Sequence, residues 1–114
     1  MKTTLQKLRK PITDKVLLAE RYYSILSVIN NFKLTQREIQ LLSFTAVKGN
    51  MSYANVREEF CKTHDTTSPT INNIISKLKK MGLLIKDQGK IKVNPKILLD
   101  FEDNLVLEIT FTHE

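Results

Sequence analysis

Apolar residues follow helical spacing up to Gly82 and then switch to alternation. From Asp14 to about Asn31 no Gly or Pro interrupts the chain. Val16, Leu17, Leu18, Ala19, Tyr22, Tyr23, Ile25, Leu26, Val28 and Ile29 cover most of a helix's circumference and leave one polar stripe, Glu20, Ser24, Ser27 and Asn31. A helix that apolar is buried on more than one side, so it sits centrally or packs against a second chain. Thr35-Gln36-Arg37-Glu38 is a capping-box start. It leads into Ile39, Leu42 and Ala46 at helical spacing, and Gly49 stops the helix. Ser52 is the predicted cap of a shorter helix carrying Tyr53, Val56 and Phe60, and Thr63 to Thr67 make a turn.

The next helix is the best specified. Ser68 reads as N-cap, with Pro69 at the first helical position, where a missing N–H costs nothing. Ile71, Ile75 and Leu78 form the core stripe, widened by Ile74 and Met81, and Gly82 ends it. The opposite face carries Thr70, Asn72, Asn73, Ser76, Lys77, Lys79 and Lys80, almost all donors or cations. After Gly82, Leu83 to Ile85, the turn Lys86 to Gly89 and Lys90 to Val93 read as strand, turn and strand, with Lys86, Lys90 and Lys92 on the exposed side. Asn94-Pro95 opens a short apolar turn or helix up to Phe101. Leu105, Leu107, Ile109 and Phe111 then alternate with more polar positions as a half-buried terminal strand.

Charge sharpens this picture more than composition does. At 114 residues, 41% hydrophobic and 26% charged, the chain has the make-up of one soluble globular domain. Its net charge of +6 is unevenly placed. Residues 1–10 hold four bases and no acid, residues 69–96 hold seven lysines against Asp87, and residues 97–114 hold five acids and no base. The expected organisation is a basic arm over 1–13 and one domain over 14–114, with a core at 34–95 and an acidic extension at 97–114. A basic block followed by an acidic tail suits a polyanion-binding face and an end kept off the polyanion. The arm reads equally as a groove-tracking tail or a frayed end. One cysteine, Cys61, excludes a disulfide framework. No apolar run is long enough to cross a bilayer, and the basic start leads into no signal-peptide stretch, so the expected location is cytoplasmic, in a bacterial cell or a virus-infected host.

Catalytic patterns are thin. Cys61, His64 and Asp65 superficially offer metal ligands or a thiol and base, but a structural zinc site wants four ligands and the only other histidine is His113. There is no Gly-rich phosphate loop and no Ser-His-Asp candidate, so neither an enzyme nor a cofactor or metal site is expected. Tyr22 and Tyr23 read as core or interface residues, or alternatively as base-stacking aromatics.

Leu34-Thr35-Gln36-Arg37-Glu38, Ser68-Pro69-Thr70-Ile71 and Leu78-Lys79-Lys80-Met81-Gly82-Leu83-Leu84-Ile85-Lys86, in that order and spacing, resemble the winged helix-turn-helix superfamily, in particular the multiple-antibiotic-resistance-regulator (MarR-like) layout. The resemblance covers Leu34 to Pro95. It implies a mainly α fold with a small β hairpin (α+β): a winged helix-turn-helix, here with an extra N-terminal helix and a C-terminal strand. The implied function is sequence-dependent binding of double-stranded DNA by a small transcriptional regulator, with the helix from Ser68 in the major groove and the basic hairpin on the backbone.

Under that reading Thr66, Thr67, Ser68 and Thr70 meet a phosphate at the helix N-terminus, and Asn72 and Asn73 enter the major groove, with Ser76 on the same DNA-binding face. Lys77, Lys80, Lys86, Lys90 and Lys92 meet the backbone. Asparagine pairs bidentately with adenine, which favours A·T-rich sites; the helix holds no arginine, the usual reader of guanine. A homodimer through residues 14–31, with the 105–111 strand as a further surface, is the expected assembly. The alternative is a winged helix used as an interaction or structural module of a nucleoprotein or phage-like assembly, contacting protein instead of DNA.

Overall fold

The computed structural model describes residues 14–102 and 105–113, so the basic arm lies outside the described residues. Four helices and a two-stranded antiparallel sheet make a mainly helical α+β arrangement. In chain order they are α1 (Lys15–Ile29), α2 (Gln36–Lys48), α3 (Ala54–His64), α4 (Ser68–Lys80), β1 (Leu84–Asp87) and β2 (Lys90–Val93), followed by a 3-10 turn over Pro95–Ile97.

The helix starts follow local hydrogen-bond supply. Asp14 caps α1 by accepting from the Val16 N–H at 2.8 Å. Thr35 and Glu38 close the full capping box of α2, and Gly49 ends that helix in the left-handed region, φ 89°. Two caps differ from the expectation. Helix α3 begins at Ala54, with Tyr53 as a cap residue that makes no side-chain cap bond. Ser52 lies one residue earlier, in the turn before the helix, where its N–H donates to Asn50 Oδ1. In α4 the cap residue is Thr67 and Pro69 stands second; the Thr67 hydroxyl pairs with that of Thr70 at 3.0 Å instead of capping a backbone N–H.

The core gathers Tyr23 from α1, Leu41 and Leu42 from α2, Phe60 from α3, Ile71 and Leu78 from α4, and Leu84 and Val93 from the hairpin. Phe44 and Phe60 meet edge-on, ring centroids 5.4 Å apart, where α2 crosses α3. After the hairpin the chain returns to α1. Tyr23 Oη donates to the Ile97 carbonyl at 2.9 Å, and Phe101 tilts against Tyr22 and Tyr23. Both tyrosines therefore pack within the domain. Burial first, and neighbouring Tyr22 second, push the Tyr23 phenol well above its ordinary pKa.

Helix α1 does not bury the face its sequence suggests. Its buried line is Ala19, Tyr23 and Ser27, while Leu17, Ile25, Val28 and Ile29 are exposed, Val28 at 81%. One member of the expected polar stripe turns inward and is satisfied there: Ser27 Oγ accepts from the Leu34 N–H, while half-buried Ser24 donates its Oγ–H to the Glu20 carbonyl. The helix is thus not central in this chain.

The hairpin register pairs Leu84 with Val93, Ile85 with Lys92, Lys86 with Ile91 and Asp87 with Lys90. Gln88 and Gly89 form a two-residue turn with positive φ at both positions, 49° and 78°, the requirement of a type I′ connection. Strand β1 therefore extends to Asp87, beyond the expected end at Ile85. Cross-strand partners share a face. Lys90 and Lys92 project with Asp87 and Ile85 from one side, and Lys86 projects with Ile91 from the other, so the three lysines do not form the single row expected. The loop between α2 and α3 anchors β2: Met51 N–H donates to the Ile91 carbonyl, and Ile91 N–H donates to Asn50 Oδ1, both at 2.9 Å.

The expected strand over 105–111 is not formed among the described residues. Residues 105–113 form no regular secondary structure, Leu105 alone among them packs on the core, and Val106 (94%) and Phe111 (90%) are exposed. Alternation becomes a strand only where a free edge accepts it. Among the described residues the outer edge of β2 is bonded to Met51 and Asn50, and the 105–113 segment makes no backbone bond to the outer edge of β1.

Candidate nucleic-acid interface

Helix α4 owes its placement to Ile71, Ile74, Ile75 and Leu78, all buried. Fixing that stripe inward fixes the rest outward: Ser68, Thr70, Asn72, Asn73, Ser76, Lys77, Lys79 and Lys80 are all exposed. Thr67 is exposed at the helix entrance, paired with Thr70. Three lysines fall in the last turn, where they also favour the negative end of the helix dipole. In the hairpin Lys86 and Lys90 are exposed and Lys92 is half-buried.

The cations of this surface are not equivalent. Lys77 Nζ lies 2.7 Å from Glu38 Oε2, whose side chain is almost fully buried at 8% exposure. Burial pushes the Glu38 carboxyl up, yet the hydrogen bonds from Lys77 and the Thr35 backbone, with the Lys77 charge, outweigh it and hold the carboxyl below its ordinary range. Lys77 thus neutralises an internal carboxylate that also caps α2. Lys90 stands directly across the ladder from Asp87. Among the described residues Lys79, Lys80, Lys86 and Lys92 make no ion pair.

The amides differ as well. Arg57 of α3 donates through Nε to the Met51 carbonyl at 2.9 Å and through Nη1 to Asn72 Oδ1 at 2.6 Å. Asn73, one residue on, makes no hydrogen bond of this kind among the described residues. Neither Arg57 nor Glu38 was singled out as part of this surface by sequence pattern. Glu38 was already explained by its cap, and Arg57 is fifteen residues from Asn72 along the chain, so nothing local signals their meeting.

Cys61 is half-buried in α3, and His64 packs at the end of the same helix. The His64 ring lies 4.6 Å from the Phe60 ring centroid, and its carbonyl accepts from Arg37. Burial, then the Arg37 charge, hold its imidazole below the ordinary pKa. No group of three or more metal-ligating side chains occurs among the described residues. No helix among them is long and apolar enough to cross a membrane. Compared with known protein families, with characterised proteins and with solved structures, the chain matches none.

Proposed function

We propose that this chain is a winged helix-turn-helix protein that binds duplex DNA as a small cytoplasmic transcriptional regulator, without catalytic activity. Helix α4 enters the major groove and the β1–β2 hairpin is the wing on the neighbouring backbone. The observation that carries the reading is the outer face of α4: every side chain on it is exposed, and nearly all are donors or cations, on a helix otherwise fully docked by four buried residues. Support comes from the order of α2, α3, α4 and hairpin, and from the bond of Met51 N–H to the Ile91 carbonyl, which ties the α2–α3 turn to the hairpin.

Duplex-reading proteins of this shape work in pairs about one helical turn apart, and the exposed apolar line of α1 (Leu17, Ile25, Val28, Ile29) is the surface that pairs two copies. A salt titration on mixed-sequence duplex DNA tests the reading. Binding should weaken linearly in log K against log salt, with a slope of roughly −0.9 per phosphate contact. No measurable binding at about 0.05 M salt sinks it.

A second reading has its own observation. Val106, Leu107, Ile109 and Phe111 are all exposed on a segment that forms no regular secondary structure, and an apolar segment of alternating pattern suits β-augmentation of a partner's sheet in a nucleoprotein or phage-like assembly. Truncation after Asp103 separates the two. DNA binding that survives intact assigns the tail to another partner.

A further inference from the structure

Helix α4 contains no arginine, but the fold brings one to its face from α3. Arg57 is held at two points, through Nε to the Met51 carbonyl and through Nη1 to Asn72 Oδ1, so its guanidinium is a fixed plane and not a free surface charge. A guanidinium has donors only, so the Asn72 carboxamide must turn its oxygen toward Arg57 and its NH₂ away. The bond is short, 2.6 Å, and charge-assisted.

We propose that Arg57 is a positioning residue that sets which base Asn72 reads; the inference rests on the DNA-binding reading above. With its oxygen held beside a cation, Asn72 meets the major groove as a donor. Guanine fits a donor because it offers two acceptors, N7 and O6. Adenine's bidentate pairing needs the amide oxygen to accept from N6; Arg57 already takes one of that oxygen's two lone pairs and fixes the direction of the other, which disfavours that pairing. Asn73 keeps both halves of its amide and remains the adenine reader. The pair reads two different bases, and the difference originates one helix away from the groove.

The test is selection from a randomised duplex pool by the full chain and by Arg57→Leu, Arg57→Lys, Asn72→Ala and the Arg57→Leu/Asn72→Ala double variant, each first checked for folding by thermal melting. The parent should enrich guanine about tenfold over adenine at one position. Arg57→Leu should move that position to adenine and leave the others alone, and Asn72→Ala should erase it with or without Arg57. Arg57→Lys keeps the charge without the planar fork, so it should keep overall affinity and lose the guanine preference; if the leucine variant does not fold, this one carries the test. The inference is overturned if either Arg57 variant retains guanine there, if all positions weaken equally, or if Asn72→Ala leaves the preference in place. A parent that binds with a normal salt slope and selects no sequence also overturns it while the DNA-binding reading stands. A parent that binds no DNA at all removes that reading itself.

Discussion

Helices α1 and α4 end up as opposites, and not because α4 is the more apolar: α1 carries seven Val, Leu and Ile residues and α4 carries four. In α4 the apolar residues share one stripe and all go inside, which leaves a face of amides, hydroxyls and lysines outside. In α1 they go all the way round, and the fold buries only Ala19, Tyr23 and Ser27, which leaves Leu17, Ile25, Val28 and Ile29 in solvent. A segregated pattern determines its own orientation. An unsegregated one is oriented by whatever else needs satisfying, here the Tyr23 hydroxyl on the Ile97 carbonyl and the Ser27 hydroxyl under the Leu34 N–H.

The sharpest way to break the contrast is to remove one side chain of each kind. Leu78 in α4 is fully buried, so Leu78→Ala should cost about 2–5 kcal/mol in urea unfolding, enough to threaten a domain of this size. Val28→Ala should leave the stability of the isolated chain close to unchanged. A loss at Val28 as large as at Leu78 would mean that α1 is seated differently.

Next in size is the anchor of the hairpin. Asn50 Oδ1 accepts from both Ser52 and Ile91 N–H groups, and the Ile91 bond is buried. Asn50→Ala should cost about 1–3 kcal/mol by leaving that donor unpaired. Hydrogen exchange should open first at Ile91 and Met51, with α1 still protected. Uniform loss of protection would show that the hairpin and α1 are not separable.

These residues also mark where sequence stopped being informative. The α2 capping box, the Gly49 and Gly82 stops, the α4 core stripe and the hairpin were legible because each is decided by chemistry within a few residues. The face of α1, the pairing of Lys77 with Glu38, the Arg57–Asn72 bond and the role of Asn50 were not. Each depends on groups from different elements meeting, and no period or spacing reports that. The terminal alternation at 105–111 misled for the same reason, since a strand needs a partner edge and the period of one segment does not report whether it docks on one.

The apolar line of α1 gives a third, concentration-dependent effect. Val28→Lys with Ile29→Lys should leave the monomer folded, because both side chains are exposed. It should also raise the dissociation constant of the proposed dimer by tenfold or more, since each would lose an apolar contact and add a like charge across the proposed two-fold axis. Sedimentation at several concentrations reads this directly. A parent that is monomeric at about 0.1 mM overturns the assignment of α1 as the pairing surface.

The smallest expected effect discriminates best among the lysines of the α4 face. Glu38→Gln keeps a side chain that can accept the Thr35 N–H, so the α2 start should survive, while the negative partner of Lys77 is gone. Because the Glu38 carboxyl is held below its ordinary range, its pair stabilises the fold above the unfolded pKa, about 4.3. That stability fades as pH falls through the depressed value. With Lys77 about half exposed the contribution is screened, on the order of 0.5–1 kcal/mol, and Glu38→Gln should flatten the acid limb of the stability curve by that amount. The same substitution frees a cation on the surface proposed to face DNA. The salt slope should therefore steepen by roughly 0.9, whereas Lys77→Ala in the parent should change it less than Lys80→Ala, because Lys77 is already neutralised by Glu38 and Lys80 is not. Equal effects of Lys77→Ala and Lys80→Ala, with no gain from Glu38→Gln, would mean that the ion pair opens when DNA binds and that Lys77 contacts phosphate like its neighbours.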